Sequence, residues 1–116
     1  MAESTLTSAV LRAFKHAGWL TMHMHSSRHA HYLASTKGFP DILALRGNRL
    51  VIAELKGRNA EGYVGTPEPR QRVWLKAWQD FAESARPFFA ASSGGVEVYV
   101  WGPDNLSNGD VDKVAA

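Results

Sequence analysis

A chain of 116 residues and 12.8 kDa has room for one domain, residues 1–116, able to bury roughly 65% of the surface its unfolded form exposes. Hydrophobic residues at 45% and charged residues at 21% exclude a disordered or fibrous chain, and the lack of cysteine excludes disulfides, thiolate catalysis, iron–sulfur clusters and cysteine-held zinc. The formal net charge of +2 is unevenly spread: residues 1–58 hold eight basic and three acidic side chains, the remainder five and eight, so the first half is the one suited to a polyanion.

Leu6, Val10, Phe14 and Ala17 recur at helical spacing before Gly18, predicting an amphipathic helix over about residues 4–17 with Glu3 on its apolar side. No run of 18 apolar residues occurs, and Met1–Gly18 carries Glu3, Arg12, Lys15 and His16, so neither a membrane span nor a secretory signal is expected and the protein should be cytoplasmic. Trp19–His25 alternates, with Leu20, Met22 and Met24 on one face of a strand and Thr21, His23 and His25 on the other. Ser26–Lys37 is a polar loop leading to Gly38-Phe39-Pro40.

Asp41–Leu45 and Leu50–Lys56 are β-type runs around Gly47-Asn48, a good two-residue type II′ turn. That turn pairs Arg46 with Arg49, Leu45 with Leu50, Leu43 with Ile52 and Asp41 with Glu54. Both hairpin faces are largely apolar, which predicts a central position in a sheet. Gly57–Gly65 is expected as a flexible loop. Thr66 should cap a second helix with Pro67 at its first position, running to about Ala85 with Gln71, Trp74, Trp78 and Phe81 on an inward face. Phe88–Ala91 and Val96–Trp101 complete an α β β β α β β order, an α/β (α+β) fold.

The hairpin carries the chemistry. Two carboxylates directly opposite across strands have Cβ atoms about 4.5–5.5 Å apart and repel when both are ionised. A divalent cation offsets that repulsion, and Mg²⁺ is typically held by one or two carboxylates with water and phosphate oxygens. Lys56, two residues beyond Glu54, shares its strand face. Phosphodiester hydrolysis needs this set: a cation to neutralise phosphate and acidify water, and a lysine to orient or deprotonate that water. Taken singly, Pro-Asp marks a turn, a strand Glu faces solvent and a terminal Lys is an edge charge; on an apolar hairpin the three together point to a site.

Gln71 shares the face of Trp74 and Trp78 at a helix N-terminus, where it either faces an anion or caps its own helix. The two His-x-His units, His23/His25 and His29/His31, suggest zinc, but four-histidine structural sites are uncommon and the second unit lies in a loop, so His29 and His31 are placed on the surface.

Pro40-Asp41, twelve residues, then Glu54-Leu55-Lys56 resembles the PD-(D/E)xK nuclease signature. With Gly18-Trp19-Leu20, His23-Met24-His25-Ser26-Ser27-Arg28, Gly38-Phe39, Thr66-Pro67-Glu68, Gln71 and Val96–Trp101, the chain is similar over nearly its whole length to the VRR-NUC (virus-type replication-repair nuclease) domain in its stand-alone phage form. The resemblance implies a restriction-endonuclease-like core of αβββαβ order, with a mixed central sheet flanked by helices. It implies Mg²⁺- or Mn²⁺-dependent cleavage of structured or branched DNA, such as four-way (Holliday) junctions. A domain this small has little room to enclose a duplex, so a homodimer is the natural way to cut two strands symmetrically, and no membrane association is expected. Asp41, Glu54 and the Leu55 backbone carbonyl match the metal ligands, with Glu3 as a further first-helix acid. Lys56 matches the catalytic lysine and Gln71 the helix glutamine near the site. His23, His25, Arg28 and Lys37 would flank the site and touch phosphate. The alternatives are a flap or nicking nuclease, or a non-catalytic DNA-binding protein that keeps the fold.

Overall fold

The structure, a computed structural model, describes residues 1–24 and 37–116. A helix α1 (Glu3–His16) leads to β1 (Leu20–His23), and β2 (Ile42–Arg46) and β3 (Arg49–Leu55) form the hairpin. Helix α2 (Pro69–Ala85) runs into a 3₁₀ turn (Arg86–Phe89) and returns the chain to β4 (Gly95–Trp101), followed by α3 (Pro103–Ser107) and α4 (Asp110–Ala115). The strands form one mixed sheet in the order β1-β2-β3-β4, antiparallel except for the parallel β3–β4 pair. Parallel pairing needs a long crossover, and α2 supplies it.

The hairpin register is Arg46 to Arg49, Leu45 to Leu50 and Leu43 to Ile52, as the alternation and turn predict. Gly47 has a φ of +60° and no other residue type has positive φ among the described residues, so Asn48 does not, which is the type II′ pattern.

The strand period of two divides the sheet into two faces. One packs Ile42, Ala44, Val51, Ala53, Leu55 and Trp101 against Leu6, Val10 and Phe14 of α1 and Val111 and Ala115 of α4. Phe14 meets Trp19 edge-on at 5.1 Å and Trp101 at 6.0 Å. On the other face α2 lies over β4, and Phe39 packs edge-on against Trp74 at 4.9 Å and Trp78 at 6.2 Å. Phe81, expected inward, is 55% exposed, and Leu75 is the buried residue of α2. The β1 end of this face is more open: Leu20 is 74% exposed and Met22 also faces solvent, whereas Thr21 and His23 on the polar side are half-buried.

Three expectations are corrected. Helix α2 starts at Pro69 with Glu68 as N-cap, because a residue before proline is driven out of the α region and Glu68 takes φ −73°, ψ 165°. The segment expected as a strand at Phe88–Ala91 is largely a 3₁₀ turn, since Pro87 fixes a helical φ directly after Arg86 has continued α2 in αR. The segment expected as a flexible loop at 57–65 is a hydrogen-bonded hairpin bridged at Arg58 and Val64. The two C-terminal helices were not anticipated. They are held by arginines from the β2–β3 turn: Arg46 donates to the Ala115 and Ala116 carbonyls, and Arg49 to that of Val114. Both guanidiniums lie over Trp19, at 4.7 and 4.9 Å, and the indole N–H donates to Ala115. No helix among the described residues is long and apolar enough to cross a membrane.

Candidate functional site

The β2–β3 register sums to 95 at each pair, so Asp41, just ahead of β2, falls opposite Glu54 near the end of β3. Both belong to the α2 face of the sheet, along with Leu43 and Ile52. Gly38, Phe39 and Pro40 bring the chain to this point. Gly38 has φ +85°, and a Cβ there would come within 2.8 Å of the Arg70 backbone, so glycine is required for the approach to the first turn of α2.

Asp41 is held by both main chain and side chain. Its carbonyl accepts the Met24 N–H at 2.7 Å, and its Oδ2 accepts the Leu55 N–H at 2.8 Å. The β2–β3 ladder ends at Ile42 and Ala53, and beyond it the Asp41 side chain, not a main-chain carbonyl, accepts the Leu55 N–H.

Glu54 is fully buried, and neither of its carboxyl oxygens has a hydrogen-bond donor among the described residues. Burial pushes its pKa up to about 9, with the Asp41 carboxyl adding to the rise and Lys56 opposing it. Burial thus favours the protonated form of Glu54 when no metal is bound. Glu3, the first residue of α1, joins this group electrostatically: partial desolvation raises its pKa, Asp41 raises it further and Lys56 lowers it. Its position depends on Gly57, where a Cβ would lie 2.2 Å from the Glu3 nitrogen, and on the Arg58 N–H, which donates to the Met1 carbonyl at 2.9 Å.

Asp41, Glu54, Lys56, Leu55 and Glu3 are thus gathered at one end of the sheet. Among the described residues no three His, Asp or Glu side chains form a ready cation cage, so the acids present two close carboxyls and a third at longer range. Asp41 and Glu54 fit a hard divalent cation that also takes carbonyl, water and phosphate oxygens.

Gln71 is otherwise engaged. Its Oε1 accepts the Glu68 N–H at 2.8 Å, the helix-capping role weighed against an anion-facing one. Lys37 is exposed beside Gly38 on the rim. His23 pairs with Ile42 across β1 and β2 and so points to the opposite face from Asp41. His25, Arg28, His29 and His31 lie outside the described residues.

The basic half of the chain is not one free surface. Arg46 and Arg49 hold α4, Arg49 forms a bidentate pair with Glu97, and Arg58 pairs with Asp104 at 2.6 Å. Two open depressions lie elsewhere, one along α1 at Ser8, Leu11, Arg12, Lys15 and His16, the other between Arg86 and the Ser92–Gly95 loop. Arg70 was missed by sequence reading. It is an exposed cation whose backbone lies against Gly38, the residue after Lys37, and a glycine preceded by a basic residue is too common a pattern to signal it.

Comparison with known protein families finds no match, and comparison with curated proteins finds none.

Proposed function

We propose that this chain is a metal-dependent endodeoxyribonuclease with a restriction-endonuclease-like core of the VRR-NUC type. The observation that carries the reading is Glu54: a fully buried carboxyl, without a hydrogen-bond donor among the described residues, set against a second carboxyl. Buried polar groups are nearly always satisfied, and an exception calls for an explanation. A cation held between Asp41 and Glu54 in place of the Glu54 proton is the simplest one.

Mg²⁺ or Mn²⁺, when bound, neutralises phosphate charge and makes water more acidic. Asp41 and Glu54 would hold the ion through their carboxylates, with the Leu55 carbonyl as a third oxygen. Asp41 is kept in place by the Leu55 N–H. Lys56 continues the face of Glu54, and its side chain passes Gly65, where an added Cβ would stand 3.6 Å from Lys56 Cδ. Its ammonium would orient the attacking water and stabilise charge growing on the phosphate, a contribution that acts mainly in the transition state. Lys37 and Arg70 on the rim suit phosphate contacts. Branched DNA such as four-way junctions follows from the VRR-NUC resemblance, and a homodimer would give so small a domain two sites for symmetric paired cuts.

The test is incubation of the protein with labelled duplex, flap, bubble and four-way junction DNAs in Mg²⁺, Mn²⁺ or EDTA. Cleavage of at least one substrate that requires the metal is expected. DNA binding equal in all three conditions, with no cleavage in any, overturns the reading.

A further inference from the structure

The hairpin at residues 57–65 begins and ends at Lys56. Gly65 lies against the Lys56 side chain, the Gly65 N–H donates to the Gly57 carbonyl at 3.4 Å, and Arg58 bridges to Val64. Its tip is pinned from several directions. Asn59 Oδ1 accepts the N–H groups of Glu61 and Tyr63 at 3.0 and 2.9 Å, and the Asn59 N–H donates to the Tyr63 carbonyl at 2.9 Å. Arg58 Nη1 donates to the Gly62 carbonyl at 3.0 Å while Nη2 pairs with Asp104, fastening the tip to α3. Val64 packs toward Gly102.

What this fixed tip presents to solvent is Tyr63, 73% exposed. A flexible exposed tyrosine needs no explanation, but here five hydrogen bonds and an ion pair hold the backbone on either side of it. The hairpin has no free cation: Arg58 is committed to Asp104 and Gly62, and Glu61 is acidic. Its recognition chemistry is therefore an aromatic face and not phosphate attraction. Chain reach keeps Tyr63 close to the site, since Asn59, three residues from Lys56, is at most about 11 Å away and bonds directly to Tyr63.

We infer that Tyr63 is a specificity-determining residue that stacks on an unpaired nucleobase next to the scissile phosphate. The inference rests on the nuclease reading and narrows its substrate class to DNA with unpaired bases near the cut, such as a flap, a gap or a branch that leaves bases unpaired, and away from a fully paired four-way junction. Bases of an intact duplex already stack on their neighbours and leave no face free for Tyr63. Aromatic stacking accepts any base because each has a π-face, so the selection is for strandedness and not sequence.

The experiment measures binding by fluorescence anisotropy, with Ca²⁺ in place of Mg²⁺, for wild type, Tyr63→Ala and Tyr63→Phe. The probes are a duplex with unpaired bases at a branch and a fully paired duplex of the same length. Tyr63→Ala should weaken branched-DNA binding roughly 5- to 150-fold. It should leave paired-duplex binding unchanged, and Tyr63→Phe should behave as wild type. The loss should be the same at about 50 and 200 mM salt, because stacking releases no counterions. Equal loss on both DNAs, a loss that fades with salt, or no loss overturns the inference. Cleavage by the wild type in Mg²⁺ or Mn²⁺ is scored separately. A wild type that cuts nothing but shows the Tyr63 discrimination overturns the nuclease reading alone, and one that cuts while Tyr63→Ala binds normally overturns the stacking role alone.

Discussion

Asp41 accepts the Leu55 N–H at 2.8 Å, so the carboxylate facing Glu54 is tied to Glu54's own strand. Moving the Asp41 carboxylate away from Glu54 would cost that bond. A proton on Glu54 or a cation between the two acids relieves the repulsion without that cost.

Glu54→Gln should abolish cleavage while raising the melting temperature of the metal-free protein. The amide keeps the shape of the side chain and can donate to Asp41 without the proton uptake that folding demands of Glu54. Asp41→Asn should likewise end cleavage and fold normally, since its amide oxygen can still accept the Leu55 N–H. Thermal melts in EDTA beside single-turnover rates check both, and wild-type cleavage by either variant contradicts the assigned roles.

Lys56→Ala should lower the cleavage rate on the order of 10²–10³-fold while Mn²⁺ still binds. Calorimetric titration of Mn²⁺ into the variant, next to its single-turnover rate, separates the ammonium from the carboxylates. A variant that retains full rate, or that loses the metal, is inconsistent with Lys56 acting on the water and phosphate.

The pH dependence follows from Glu54. Its folded pKa, near 9, is above its unfolded value of about 4.5, so between those limits the folded chain binds more protons than the unfolded one. In EDTA, stability should therefore be greatest below about pH 4.5 as far as this group is concerned, and fall as pH rises toward 9, by at most about 1.4 kcal/mol per pH unit. Glu3, also raised, acts in the same direction. Saturating Mn²⁺ should flatten the dependence, because the ion displaces the proton, and its affinity should rise with pH over the same window. Denaturant melts from pH 5 to 9 with and without Mn²⁺ measure this; a pH-independent metal-free protein would show that Glu54 is ionised when buried.

Gly57→Ala should destabilise the protein by about 1–3 kcal/mol and reduce cleavage, because the new methyl group meets the Glu3 nitrogen and the Ala2 carbonyl carbon and must push the start of α1 away. Urea unfolding gives the stability change. If the variant is as stable as wild type, the contact between the β3 exit and α1 is not as close as described.

Lys37→Ala and Arg70→Ala should each reduce the salt dependence of DNA binding by close to one unit of slope, and Arg28→Ala should do the same if that side chain meets phosphate. Binding isotherms across a salt series decide it, and unchanged slopes in the first two would remove this rim from the DNA face.

The hairpin was legible in the sequence because everything that sets it is local: the two-residue period of its apolar side chains, the Gly47-Asn48 turn, and the parity that places Asp41 and Glu54 on one face with Lys56. The first helix and the last strand were legible for the same reason. Other features depended on contacts between residues far apart in the chain. Glu3 reaches the acids because Gly57 admits the start of α1, 54 positions away, and no periodicity encodes that approach. Arg46 and Arg49 counted toward a basic half suited to a polyanion, yet they stack on Trp19 and bind the carbonyls of α4, a helix too short for its pattern to stand out. The burial that sets Glu54 apart is likewise tertiary: a strand glutamate is ordinarily solvated, and only the packing around β3 on both faces of the sheet withdraws this one from water and raises its pKa.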